Sequence, residues 1–362
     1  MKKKILILSN HFVTIYKFRR ELIMSLVERG HEVIVSLPDS KNIEKIQELG
    51  ARAIVTNIDR KSLNPVKDFT LFIDYVRLLK KEKPDTVISY TIKPNAYGGL
   101  ATKFYKCEFI ANVTGLGSAY YKEGLVKKIV STLYKLSFKS AKSVFFENKM
   151  NAQVLIDDKT ITKEQAVVMN GAGVNLEQFV FSQMPPDEIV KFLFIGRIMA
   201  EKGVDELFEA IKKAKSKYKN VEFGFIGWFE DDYSGVIKKL EEDNLIKYYG
   251  YQSDVVPFLK DAHCVILPSY HEGMANVLLE GAAIGRTLIT SDIPGCREAV
   301  VEGENGWTCN VKDSNDIYDK IKKFIELSYK EKMSMGKYSR YHIEEVFDKR
   351  KVVELTVKEI ER

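Results

Sequence analysis

Short apolar runs alternate along the chain with stretches whose apolar positions recur every three or four residues. The first run, residues 4–9, centres on Ile5, Leu6, Ile7 and Leu8 and reads as a strand. Residues 18–29 place Leu22, Ile23, Leu26 and Val27 at helical spacing, with Gly30 as the stop. Further strands are expected at 31–37, 86–90, 109–113 and 143–147. The pattern restarts at 192–196 and continues at 221–227, 247–250, 264–269 and 287–290. Strand–helix alternation of this kind predicts α/β domains, each a parallel sheet covered on both faces.

Between the two series lie residues 170–187, with Gly171, Gly173, Pro185 and Pro186. That stretch reads as a linker. The expected division is a first domain at 1–169, a second at 188–345, and a final helix at 346–362 that can pack back on the first. Each domain is expected to be doubly wound and Rossmann-like, the two facing across a cleft. In such sheets ligands sit beyond the carboxyl ends of the strands, where strand order reverses.

The length of 362 residues suits two domains at ~150 residues each. The longest uncharged run, residues 109–121, is 13 residues, against ~20 apolar ones for a membrane span. The start, Met1-Lys2-Lys3-Lys4 and a short apolar run, lacks the form of a signal peptide. Cys107, Cys264, Cys296 and Cys309 show no metal-ligand spacing, and His11, His31, His263 and His271 form no metal set. A reducing cytosol is the expected compartment.

Lys and Arg exceed Asp and Glu by 56 to 50, but unevenly. Residues 1–185 carry +11 and residues 186–362 carry −5. The basic half suggests an anionic partner there. Residues 122–142 hold six lysines and one acid, Glu123. Lys128, Lys135, Lys139 and Lys142 share one helical face, while Leu125, Ile129, Val130, Leu133 and Leu136 share another. Such a helix suits an anionic membrane surface, and equally a core-covering helix with a solvated lysine face.

Two stretches carry candidate chemistry. After the 192–196 strand come Gly196, Arg197, Lys202 and Gly203. A missing side chain at Gly196 lets a ligand approach the backbone, and the two cations suit a diphosphate without a metal. A surface salt bridge to Glu201 or Asp205 would explain the same charges. After the 264–269 strand comes a polar loop and a helix from about Asn276. The amides of Gly273, Met274 and Ala275 would lie at its amino end, a ready anion site. Glu272 and Glu280 stand seven residues apart and could bracket a ligand bearing hydroxyls at both ends. The neighbours of Glu280 (Leu279, Ala282 and Ala283) look buried.

These motifs together resemble GT-B glycosyltransferases of glycosyltransferase family 4. The resemblance rests on Glu272…Glu280, on Gly196-Arg197…Lys202-Gly203, on Asn170-Gly171-Ala172-Gly173-Val174-Asn175, and on Ser291-Asp292 with Pro294, Gly295, Arg297 and Glu298. It implies that Arg197 and Lys202 hold the nucleotide diphosphate and Glu280 the ribose. Glu272 would contact the donor sugar, with Gly273, Met274, Ala275 and Asn276 nearby. The base would lie near Tyr249, Gly250 and Tyr251. It implies a UDP-sugar donor, retention of anomeric configuration, and no essential metal or other cofactor.

The first half resembles a bacterial branch of capsule, O-antigen and glycan assembly. The segments are Tyr16-Lys17-Phe18-Arg19, Tyr90 to Gly98, and Asn112-Val113-Thr114-Gly115-Leu116-Gly117-Ser118-Ala119. The branch usually has Asn where Lys17 stands. The resemblance implies a polyprenyl-diphosphate-linked saccharide as acceptor, met by Tyr16, Arg19, Lys93, Asn112, Thr114 and Gly115. It also implies a peripheral enzyme on the inner face of the plasma membrane. Many family members carry a histidine where this chain has Asn112 or Thr114, so the donor phosphate oxygen is left to take the acceptor proton. Competing readings are a UDP-sugar epimerase, a phosphorylase and a non-catalytic sugar-nucleotide-binding protein. No aromatic motif for single strands stands out, so nucleic acid is not expected. Residues 10–17 contain no glycine, which argues against a dinucleotide oxidoreductase.

Overall fold

The computed structural model describes residues 2–59, 64–116 and 124–362. The sequence-quoted positions Gly117, Ser118, Ala119, Lys122 and Glu123 lie outside them. The chain divides into two compact units, Met1–Ala172 with Lys349–Arg362, and Gly173–Asp348. Residues 173–187, read above as linker, therefore belong to the second unit.

The first unit is a seven-stranded parallel sheet. Its strands are β1 (Lys4–Leu8), β2 (Glu32–Leu37), β3 (Arg52–Val55), β4 (Thr86–Tyr90), β5 (Glu108–Val113), β6 (Ser143–Phe146) and β7 (Ala166–Val168). Their order is β3-β2-β1-β4-β5-β6-β7, so the direction of winding reverses between β1 and β4. Alternate residues feed opposite faces, as a strand's period of two dictates. Leu6, Leu8, Val87, Phe109 and Val144 point to one side and Ile5, Ile7, Val33, Ile88 and Ile110 to the other.

The helices between these strands are α1 (Phe12–Tyr16), α2 (Arg20–Glu28), α3 (Ile43–Gln47), α4 (Pro65–Glu82), α5 (Gly99–Thr102), α6 (Leu125–Phe138) and α7 (Lys149–Asp157). Helices α4, α5, α6 and α7 cover the Leu6 side, while α2 and α3 cover the Ile5 side. The helix expected at 18–29 is α2, Arg20–Glu28. The stretch before it coils into α1, where Phe12 stacks on Tyr16. Asn64 caps α4 through its side-chain oxygen on the Val66 amide, with Pro65 at the first helical position.

The second unit repeats the plan with six parallel strands. They are β8 (Val190–Ile195), β9 (Val221–Ile226), β10 (Lys247–Tyr248), β11 (Cys264–Leu267), β12 (Thr287–Ser291) and β13 (Gly306–Cys309), ordered β10-β9-β8-β11-β12-β13. Here the reversal falls between β8 and β11. Its helices are α8 (Val204–Lys217), α9 (Ser234–Glu242), α10 (Val256–Asp261), α11 (Asn276–Ile284), α12 (Ser314–Ile325) and α13 (Tyr329–Val346). The last helix, α14 (Lys349–Glu361), returns to the first unit. Val357 and Ile360 join the Ile5 side of its core, and Arg29 pairs with Glu354 and Glu361.

Two details of α6 differ from the sequence reading. The helix ends at Phe138, so Lys142 is off it and pairs with Glu108 at 2.9 Å. Tyr134 and Phe138 face the core, whereas Ile129 and Leu136 are about half exposed.

Candidate functional site

The residues singled out in the second unit gather at its reversal point. Arg197 and Lys202 follow β8, and the 269–275 loop follows β11, which pairs with β8. The Lys202 ammonium donates to Glu272 Oε1, and Ser269 Oγ donates to the same oxygen at 2.8 Å. Both charged side chains are largely buried, at 15% and 13% exposure. The partners of the cations are thus not Glu201 or Asp205. Arg197 is 40% exposed and its nearest acid is Glu230, at 3.8 Å.

Backbone geometry brings these loops together. Gly203 has φ +68°, and a Cβ there would lie 2.0 Å from the Pro268 carbonyl oxygen. Only glycine lets the turn carrying Lys202 press against the strand end carrying Ser269. The Tyr270 amide donates to the Glu201 carbonyl at 2.9 Å, tying the two loops directly. Tyr270 Oη reaches both oxygens of Glu206 on α8 at 2.8 Å. Burial, helped by Glu206, pushes that hydroxyl up, so it stays a donor.

Helix α11 starts at Asn276, as expected. Its amino end is partly used by the protein itself. The Ala275 amide donates to the Gly295 carbonyl at 2.7 Å, so this N–H is not offered to an anion as the sequence reading has it. The Asn276 amide donates to the Met274 carbonyl at 3.0 Å, and Met274 is buried. Gly295 approaches the Gly273 carbonyl so closely that a Cβ would sit 2.5 Å from it. Glu280 is 5% exposed on α11, beside the fully buried Leu279, Ala282 and Ala283. Tyr251 is exposed and meets Trp228 edge-on at 5.6 Å. Trp228 was not singled out. Its only sequence signal is a large aromatic directly after the strand-ending Gly227, which binds the Gly250 carbonyl.

In the first unit the predicted cations are held by acids. Arg19 Nη2 lies 3.1 Å from Glu147 Oε1, both largely buried, and the guanidinium sits 5.1 Å over the Tyr90 ring. Lys93 Nζ lies 2.7 Å from Asp68 and donates to the Asp59 carbonyl. Asn112 spends its side chain on the sheet, donating to the Ser89 carbonyl. Arg19, Asn112, Thr114 and Glu147 line one small pocket. Tyr16 lies apart from it on α1, stacked on Phe12, and Gly115 has φ +147°.

The reversal point of this unit also carries Asn10, which the sequence reading does not name as a site residue, and Thr91, which it includes only within the Tyr90 to Gly98 segment. Leu8 pairs with Ser89, and two residues beyond each stand Asn10 and Thr91. Asn10 Oδ1 and Thr91 Oγ1 are buried without a hydrogen-bond partner, and Thr91 holds φ +76°. Buried polar atoms are nearly always paired, so each of these two oxygens can accept a hydrogen bond that the protein itself does not supply. Among the described residues, no three His, Cys, Asp or Glu side chains come together as a metal ion would require.

Two doubly wound units, one bearing a lysine–glutamate knot beside an arginine at its reversal point, define the GT-B class of glycosyltransferases. The profile named Glycosyl transferases group 1 matches residues 177–342, and Glycosyl transferase 4-like matches 4–148. The chain is 31% identical over 336 residues to the N,N'-diacetylbacillosaminyl-diphospho-undecaprenol alpha-1,3-N-acetylgalactosaminyltransferase of Campylobacter jejuni, covering 88% of each. It is 26% identical to the capsular polysaccharide biosynthesis glycosyltransferase CapM of Staphylococcus aureus, covering 87% of each. HepE of Anabaena, crystallised with UDP and glucose, superposes with a TM-score of 0.80 at 15% identity, covering 99% of each chain. The chain belongs to the group 1 glycosyltransferases with a family 4-like first domain, and it is a glycosyltransferase.

Proposed function

We propose that the chain moves a hexose or N-acetylhexosamine from a UDP-sugar to a lipid-diphosphate-linked saccharide, with retention and without an essential metal. The observation that carries this reading is the knot of Lys202, Glu272 and Ser269 at the β8–β11 reversal, with Arg197 beside it. An incoming diphosphate offers Lys202 and Arg197 a second set of oxygens and releases Glu272 toward the sugar. Glu280 takes the ribose hydroxyls from the buried side. The bond from the anomeric carbon to the UDP oxygen breaks as the acceptor oxygen attacks from the same face. The acceptor proton passes to the leaving phosphate oxygen. Two cations next to the developing negative charge stabilise that departure.

The acceptor class is supported by the diphospho-undecaprenol-linked saccharide named for the Campylobacter relative, the polysaccharide setting by the capsular relative of Staphylococcus, and the donor nucleotide by the UDP held in HepE. A lipid-borne acceptor places the enzyme at the cytoplasmic face of the plasma membrane. No helix among the described residues is long and apolar enough to cross it.

The test is a panel of UDP-sugars with lipid-diphosphate saccharides, in buffer containing a chelator. Transfer with an unchanged anomeric configuration is expected, with Glu280→Ala losing donor affinity. Conversion of the UDP-sugar into an isomer with no acceptor present would replace this reading with an epimerase. Full donor turnover in Glu280→Ala would remove the site assignment.

A further inference from the structure

One side of the first unit's sheet is covered by α4, α5 and α6, with α5 packed between the other two. Their outward surfaces are unusually apolar. Val66 is 73% exposed, Phe69 64% and Phe104 67%, while Ile129 and Leu136 on α6 are about half exposed. Among the described residues of this unit no other phenylalanine is an exposed large hydrophobic. Phe69, Phe72 and Phe104 form a chain of ring contacts at 6.3 and 6.0 Å. With Pro65, Tyr97 and Leu100 they line an open groove of about 450 Å³.

The one acid lining the groove, Asp68, is taken up by Lys93 at 2.7 Å and by the Tyr97 hydroxyl, and the charge on the α5 and α6 side of the patch is positive. Residues 99–107 contain Lys103 and Lys106 and no acid. Helix α6 contains Lys127, Lys128 and Lys135 and no acid. Lys103, Lys106, Lys128, Lys135 and Lys139 are exposed. On α6 the stripe of Lys128 and Lys135 adjoins the stripe of Ile129 and Leu136, each pair seven residues apart. Exposed apolar surface of this extent marks an interaction site. Aromatic and aliphatic tips among lysines match the boundary between anionic headgroups and acyl chains.

We propose that this face of α4, α5 and α6 docks on an anionic lipid bilayer, with Phe69 and Phe104 entering the acyl boundary and Lys103, Lys106, Lys128, Lys135 and Lys139 holding the headgroups. This deepens the reading above, since a lipid-borne acceptor needs an enzyme seated on its membrane. Vesicle binding is read without donor or acceptor, so its failure and a failure to transfer sugar are separate results.

The experiment is sedimentation of the full chain with vesicles of phosphatidylcholine, with and without phosphatidylglycerol. Binding is expected only with the anionic lipid, weakening as salt rises. Phe69→Glu with Phe104→Glu should lower partitioning at least tenfold, and Lys128→Glu with Lys135→Glu about tenfold. Melting temperature should not move, because all four side chains are exposed. Phe104→Trp gives a direct readout: its emission should shift to the blue on anionic vesicles. The proposal is overturned if wild type ignores anionic vesicles, if the Phe69/Phe104 variant binds them equally well, or if the Phe104→Trp emission stays put. Loss of a dimer in the Phe variant, seen by light scattering while wild type leaves vesicles unbound, would assign the face to a second copy instead.

Discussion

The two units share one winding plan and differ in what stands at the reversal point. In the second unit the loops after β8 and β11 contribute Lys202 and Glu272, which meet as an ion pair. In the first unit the corresponding loops, after β1 and β4, contribute Asn10 and Thr91, two neutral residues whose oxygens find no partner. Its buried ion pair, Arg19 with Glu147, comes from the start of α2 and the end of β6 instead. A charged pair bridging two loops can be opened by an anion that offers both loops new partners. Neutral orphans suit a ligand made of hydroxyls and amides. Under the function proposed above, one scaffold presents an anion grip in one unit and a hydroxyl-reading surface in the other.

The largest expected effect breaks the grip. Lys202→Ala should lower kcat/KM for the UDP-sugar by about 10²–10³, the range for losing one preorganised donor at a developing oxyanion. Steady-state kinetics and thermal melting together check this; melting falls too, because Glu272 keeps Ser269 but loses the cation beside it. Adding Glu272→Gln should restore stability and not activity; recovery of both would make the pair structural.

The first unit's pair should lose chiefly stability. Arg19→Ala removes the guanidinium from the buried Glu147 beside Tyr90, at about 3 kcal/mol of stability. Adding Glu147→Gln should restore most of it in urea denaturation. If the double variant regains stability and activity, Arg19 is a structural group. If it regains stability alone, Arg19 also meets the acceptor.

A parallel contrast concerns two histidines. His31 accepts the Lys3 amide and His263 accepts the Lys191 amide, each at 3.0 Å, so each ring braces the first strand of its unit. His31 turns its other nitrogen toward Glu361 at 3.2 Å. His263 is fully buried, and burial pushes it down to about 4 from an ordinary 6.5. The unfolded chain then binds the proton more readily than the native one between these values. Stability is fully present above about pH 6.5 and falls as pH drops toward 4, by about 3 kcal/mol. His263→Gln should flatten that slope in urea titrations at pH 7 and pH 5.

How far the sequence discloses this molecule follows from burial. Strands at the sheet centres, such as Ile5–Leu8 and Thr86–Tyr90, are continuous apolar runs and are plain in the sequence. The missed strands β3, β7 and β13 lie at sheet edges, are three or four residues long, and have too little pattern to show a period. The meeting of Lys202 with Ser269 and Glu272 is legible because these residues are close in sequence to two strand ends. The pairing of Lys93 with Asp68, or of Arg19 with Glu147, joins positions 25 and 128 residues apart, and no local pattern carries that. Ala275 shows the limit from the other side. Its place at a helix start is readable, but not that a carbonyl at Gly295 has already taken its amide.

The smallest effect is the sharpest test of the hydroxyl-reading surface. Thr91 sits at φ +76°, where a β-branched residue is strained by about 1–2 kcal/mol. Thr91→Gly relieves that strain, while the greater freedom of glycine in the unfolded chain returns ~0.5–1 kcal/mol of it. A net gain under 1 kcal/mol is expected in urea denaturation. If the strain exists only because the turn after β4 demands it, the glycine variant should also transfer sugar as well as wild type. If Thr91 is kept because its buried Oγ1 awaits a donor, the more stable variant should show a higher KM for the acceptor and an unchanged KM for the UDP-sugar. The same substitution thus separates a local constraint from a recognition role, and it does so only in the first unit, since no non-glycine residue in the corresponding turn of the second unit, after β11, holds a positive φ.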